Sequence, residues 1–185
     1  AKRCRVIAES GVDVGDIALC GANGRYLAWT LNRDGFHELK IRDLNRNRDI
    51  EAPALPGGVY SLSCAEQANR LAVRVSSWET PGDLYRVNLP RGEAERVFEA
   101  DLAGLEPERL VRPESIRITA RDGVELQGLL YVPDEASRNG EPAPVVSNVH
   151  GGRRAQSQTG WSGTRQYLVD RGIADIAPNV RGSTG

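Results

Sequence analysis

From Asp16 to Leu44, apolar and polar positions alternate in short runs broken by turn-forming residues. Asp16-Ile17-Ala18-Leu19-Cys20 leads through Asn23-Gly24 into Tyr26-Leu27-Ala28-Trp29-Thr30. An Asn-Gly between two such runs predicts a hairpin, because both central turn positions need φ > 0. Asp34-Gly35 then opens a strand from Glu38 to Leu44, in which Leu39 and Ile41 alternate with Lys40 and Arg42. The pattern recurs. Leu27-Ala28 corresponds to Leu71-Ala72, 44 positions on, and the run Leu39 to Leu44 corresponds to Leu84 to Leu89, 45 positions on. A period of about 40 to 50 residues made wholly of short strands fits four-stranded propeller blades. An ordinary sandwich with similar strand spacing is the alternative, since two copies do not exclude it.

The texture changes between Leu105 and Pro113. Ser115 to Thr119 alternates, Arg121-Asp122-Gly123 turns, and Val124 to Val132 alternates back, which predicts a hairpin with one buried face. A polar loop from Asp134 to Pro144 precedes Val145-Val146-Ser147-Asn148-Val149, a short strand compatible with burial on both faces. A helix is predicted over 164–171, with Ser162 as its N-cap and Gly172 ending it, and Ile173 to Ala177 is a further strand. Hairpin, strand, helix, strand reads as the opening of an α/β domain with a parallel sheet. The domain boundary is therefore placed at 110/111, with residues 1–110 as blades and 111–185 as the α/β part.

Composition narrows the function classes. The 185 residues are 39% hydrophobic and 26% charged, and 24 basic residues against 25 acidic ones give a net charge of −1. No electrostatic footprint for nucleic acid or an anionic membrane results. No apolar run approaches the roughly 18 to 20 residues that span a bilayer. The start, Ala1-Lys2-Arg3-Cys4-Arg5, lacks an apolar h-region, so the default address is cytoplasmic. The chain has no methionine at all, so a signal peptide further upstream stays open and the sequence reads as a fragment. Cys4, Cys20 and Cys64 are odd in number and widely spaced, which reads as small core residues rather than a disulfide framework or a metal site.

The chemistry-bearing motif is His150-Gly151-Gly152, directly after a strand and before a loop and helix. Glycine there lets backbone N–H groups approach a ligand, the arrangement that supplies one oxyanion donor in α/β-hydrolases; a plain tight turn is the bland reading. Arg153 and Arg154 follow, with guanidinium forks suited to a substrate carboxylate or, more simply, solvated loop side chains. Gly160-Trp161-Ser162-Gly163-Thr164 has half of a GxSxG nucleophile elbow, but Thr replaces the second Gly and no strand precedes it, so Ser162 is a cap and not a nucleophile. His37 is read as a blade-loop residue with no metal spacing around it. Asp170 and Asp175 are read as solvated or salt-bridged, Asp175 standing mid-strand where an apolar residue is expected. Gly182-Ser183-Thr184-Gly185 lacks the Lys of a phosphate loop and reads as a turn braced by Arg181 on backbone carbonyls. No metal or cofactor is expected.

These motifs in order, His150-Gly151-Gly152, Gly160-Trp161-Ser162, Tyr167-Leu168 with Arg171-Gly172-Ile173-Ala174, then Ala177-Pro178-Asn179-Val180-Arg181-Gly182-Ser183-Thr184-Gly185, resemble the start of the catalytic domain of the prolyl oligopeptidase family. The acylaminoacyl-peptidase and dipeptidyl-aminopeptidase-like branch is the nearest in pattern. The resemblance covers about 113–185, and the upstream blades suit the family's N-terminal β-propeller. It implies β-propeller blades followed by the N-terminal part of an α/β-hydrolase domain, in a serine peptidase of short peptides. Gly151 and Gly152 would form the oxyanion-hole turn. The Ser, Asp and His of the triad, in that order in the family, have no counterpart in this chain. Arg153 stands where the family usually has Pro. The competing readings are an esterase of the same fold and a non-catalytic propeller module that binds a protein or peptide.

Overall fold

The structure is a computed structural model that describes residues 6–65, 67–134, 140–152 and 154–184. Two successive four-stranded antiparallel sheets come first. Strands β1 (Val14–Cys20), β2 (Tyr26–Arg33), β3 (Phe36–Asp43) and β4 (Arg48–Ile50) form one, in chain order. Strands β5 (Val59–Cys64), β6 (Arg70–Ser76), β7 (Asp83–Asn88) and β8 (Glu93–Phe98) form the other. Each is a meander of the kind a propeller blade uses. The hairpin turns follow their residues: Asn23 and Gly24 both have positive φ, as do Asp34 and Gly35 between the paired Arg33 and Phe36.

The two blades share one core. Tyr26, Ala28, Leu39 and Ile41 from the first meet Leu71, Val73, Val75 and Val87 from the second. The repeat is real, but its register differs from the one read off similar dipeptides. In the first hairpin Cys20 pairs with Tyr26, and in the second Cys64 pairs with Leu71, across a loop longer by one residue. The buried Tyr26, Ala28 and Thr30 therefore match Leu71, Val73 and Val75, not the Leu27-to-Leu71 correspondence. A one-residue slip exchanges the two faces of a strand, so the resemblance of Leu27-Ala28 to Leu71-Ala72 joined positions of opposite burial.

The leading strands β1 and β5 pack against each other, and first-blade side chains cap the backbone of β5. Asp16 Oδ2 accepts from Leu62 N at 2.8 Å, and His37 Nδ1 accepts from Tyr60 N at 3.0 Å. Both satisfy N–H groups that a sheet edge would otherwise leave unpaired. His37 thus lies buried within β3, not in a loop. The cysteine reading is also corrected: Cys20 and Cys64 form a disulfide with Cα atoms 5.4 Å apart. Cys4 lies outside the described residues.

The third sheet has the order β11-β12-β10-β9, from β9 (Glu114–Thr119), β10 (Glu125–Tyr131), β11 (Val145–Ser147) and β12 (Ala174–Pro178). The β9–β10 hairpin turns at Gly123, with φ 83°. β11 and β12 run parallel, joined through helix α1 (Gly163–Asp170). Ser162 caps α1 by accepting from Arg165 N, and Gly172 at φ 77° ends it. β11 is the short strand that its apolar run predicts; within these residues it pairs on one side only, with β12, and Val145 is 61% accessible. Among the described residues no helix is long and apolar enough to cross a membrane.

Asp175 is fully buried opposite Tyr131, and Arg165 of α1 reaches it, Nε to Oδ1, at 3.1 Å. The Arg165 guanidinium also lies over the Tyr131 ring, 5.4 Å from its centre. Burial outweighs the attraction of Arg165 and raises the Asp175 carboxyl above its ordinary value. Asp170 pairs with Arg109 at the surface.

Candidate active-site turn and the strap behind it

The sheet order carries the chain out of β11 into His150-Gly151-Gly152 at the carboxyl end of a parallel strand, where ligands bind in open α/β sheets. Asn148 N donates to Ile176 O at 2.8 Å and prolongs the pairing up to this point. Both glycines are exposed. A Cβ at Gly151 would meet nothing within 4 Å, and one at Gly152 would meet only Ala155 Cβ at 3.7 Å. Space does not demand glycine here. The backbone does at Gly152, whose φ is 87°. Among the described residues, no side chain other than Ala155 comes within 4 Å of the positions that a Cβ would take at the two glycines.

His150 ties this turn to the one after β12. Its Nε2 lies 2.8 Å from Ser183 Oγ, and Ser183 Oγ donates to Val180 O at 2.6 Å. With the hydroxyl proton given to Val180, Ser183 is the acceptor and His150 Nε2 carries the hydrogen. The pair is a brace between two glycine turns, not a base activating a nucleophile. Among the described residues, Arg181 makes no hydrogen bond to a backbone carbonyl. Its exposed guanidinium pairs with Asp122 in the β9–β10 turn, because the two turns lie at the same end of the sheet. Arg154 is exposed beside the glycine turn, whereas Arg153 lies outside the described residues.

Behind the turn, residues 155–159 form a strap held on both sides. On the third sheet, Asn179 Oδ1 accepts from Ser157 N at 2.7 Å, and Thr184 N donates to Ala155 O at 3.3 Å. On the first blade, Thr159 donates to Gly35 O twice, from N at 3.2 Å and from Oγ1 at 2.8 Å. Asn32 donates to Gln156 Oε1, and the Gln158 amide lies 3.5 Å from His37 Nε2. Gly35 permits the approach, since a Cβ there would stand 3.3 Å from both Gln158 Cα and Ser157 O. Burial lowers the His37 pKa, and the nearby Asp16 opposes it. Asp34, Gln127, Gln156, Asn179 and Ser183 line a cavity of about 270 Å³ at this junction. Asn32 and Thr159 carry no local signal, and Gly35 and Asn179 stand out in the sequence only as a turn residue and as part of the Ala177–Gly185 run, because their junction contacts depend on distant partners.

The junction is stitched elsewhere too. Gln166 of α1, held by Val111 N at 2.8 Å, donates to Trp78 O of the second blade at 3.4 Å. Trp78 of the second blade joins Leu129, Tyr131, Val169 and Ala177 in one core, with Phe36 packed against it. Arg112 covers both rings, 5.0 Å from Trp78 and 5.8 Å from Phe36.

Known proteins resemble the chain along nearly its whole length. All of the chain aligns with the dipeptidyl aminopeptidase BIII of Pseudoxanthomonas mexicana, at 32% identity over 193 positions. The chain is similar to peptidases of the prolyl oligopeptidase family. It spans only about a quarter of such relatives, 27% of that peptidase. A puromycin-hydrolysing peptidase of Mycobacterium tuberculosis superposes with a TM-score of 0.73 and 25% identity, over 91% of this chain and 26% of that one. A prolyl endopeptidase structure superposes over 95% of this chain and 25% of its own, with a TM-score of 0.80; at 19% identity it shows the shared fold alone. No protein-family model matches the chain. The family's propeller-like sheets correspond to the two blades described above.

Proposed function

We propose that this chain is the junction of a serine peptidase, with residues 1–110 contributing propeller blades and 111–185 the N-terminal part of an α/β-hydrolase domain. In this reading a serine, its histidine base and an orienting aspartate come from sequence beyond Gly185. The serine attacks the scissile carbonyl, an acyl-enzyme forms as the amine leaves, and water releases the acid. The Gly152 N–H is one donor to the developing oxyanion, and losing one such donor costs about a hundred- to a thousandfold in rate. Arg154, exposed beside the turn, binds a substrate carboxylate in this reading, a role suited to a guanidinium.

The observation that carries the reading is the exposed glycine turn at the carboxyl end of β11, with φ 87° at Gly152 and open space outside it. Short peptides are the substrates because propeller blades stand directly against the strap behind that turn. A fluorophosphonate probe tests the proposal on the full-length protein. The expected adduct is on a serine outside these 185 residues, with hydrolysis of a dipeptidyl p-nitroanilide faster than that of a matched p-nitrophenyl ester relative to their uncatalysed rates. This chain by itself is expected to show neither labelling nor hydrolysis. An adduct on Ser162, or a full-length protein that turns over the ester alone, would refute it.

A further inference from the structure

We infer that Cys20 and Cys64 are a thiol–disulfide exchange site whose oxidised form staples neighbouring blades together. The inference is independent of the peptidase reading. Each cysteine is the last residue of its blade's leading strand, Cys20 ending β1 and Cys64 ending β5. Their separation of 44 residues is the spacing of the repeat itself along those strands. Repeated sheets that pack side by side bring equivalent positions close where they touch, and these blades touch along β1 and β5. The Asp16–Leu62 hydrogen bond lies between the same two strands. A Cα separation of 5.4 Å falls within the range a disulfide spans.

The two sulfurs differ in access. Cys20 is fully buried in the shared blade core, while Cys64 is only partly buried at its margin. Oxidation therefore starts at Cys64. Its thiolate attacks an external disulfide, such as oxidised glutathione or a protein disulfide donor, and one thiol leaves. The Cys20 thiolate then attacks the mixed disulfide at the Cys64 sulfur, and the donor's second thiol leaves. The chain loses two electrons, the donor gains them, and the protons of Cys20 and Cys64 end on the two released thiols. The product fixes the blades where they touch and closes a loop that contains β2, β3, β4 and β5. A reducing thiol pool reverses the step, so the stapled form belongs to an oxidising environment.

Thiol counting on this chain tests the site. The chain is equilibrated with oxidised glutathione, alkylated without reduction and digested with trypsin. One alkylated cysteine, Cys4, and a linked pair of peptides carrying Cys20 and Cys64 are the expected products. Three alkylated cysteines, or Cys4 linked to either partner in comparable yield, overturn the inference. A phosphine reductant is expected to lower the thermal midpoint by about 10 °C and to leave C20A/C64A unmoved. The C4S variant keeps the linked peptides and the response to reductant. Equal reductant shifts in the parent chain and C20A/C64A also overturn the inference.

Discussion

Replacing Arg165 by Met leaves the Asp175 carboxylate fully buried without its counter-charge. The pair is close, 3.1 Å, and the two side chains are 12% and 0% exposed, so solvent screens little of their interaction. Truncating one partner of a buried pair typically costs about 3–5 kcal/mol. R165M is therefore expected to lose about that much, and D175V less, about 1–3 kcal/mol, because Arg165 keeps some solvent access and the Tyr131 ring. R165M/D175V removes both charges from an apolar site and is expected to return to within about 1 kcal/mol of the parent chain, or above it. Urea unfolding followed by tryptophan fluorescence, run as a double-mutant cycle, measures all three. The pH dependence adds a sign. Because the folded-state Asp175 value is raised above 3.8 by burial, the folded chain binds that proton more tightly than the unfolded one. Relative to D175V, the parent gains stability as pH falls through the raised value, and the gain is complete below 3.8. A loss under about 1 kcal/mol for R165M, or a double variant weaker than both singles, would show that the pair does not hold α1 on the sheet.

Two further outcomes follow from the junction. Gly35→Ala strains a φ of 86° and pushes on the strap at 3.3 Å, so it should cost about 1–2 kcal/mol and speed amide exchange over 156–159; unchanged exchange there would remove Gly35 from the contact. His37 has a pKa below the ordinary 6.5 in the folded chain, so its contribution to stability is present above that value and is lost as pH falls from it through the lowered folded value. His37→Gln should flatten that part of the stability profile in thermal melts taken from pH 7.5 to 5, and a slope equal to the parent's would assign the loss to other groups.

That the chain turns after β11 was readable from paired glycines following a short apolar run, and Gly152 has the positive φ that glycine allows. The turn's supports were not. Asn179 holds Ser157, and Gly35 receives Thr159 from 124 residues away, contacts that no local pattern announces. The relation to the prolyl oligopeptidase family came from several weak motifs in a fixed order, which is more specific than any of them. Asp175 shows the limit from the other side. Sequence alone required that its charge be solvated or paired, and the fold supplied Arg165 from the helix that crosses over it.

What the amino-acid order determined by itself was local: turns at Asn23-Gly24, Asp34-Gly35 and Gly123, the Ser162 cap, the stop at Gly172, and the existence of a strand repeat. These depend on backbone φ and on hydrogen bonds within a few residues, so nearby side chains suffice to specify them. Tertiary structure decided which face each repeat strand buries, that Cys20 meets Cys64, and that β11 pairs in parallel with β12. The reason is register and proximity. One extra loop residue reverses a strand's faces, and only the packing of two blades brings positions 44 residues apart into bonding distance.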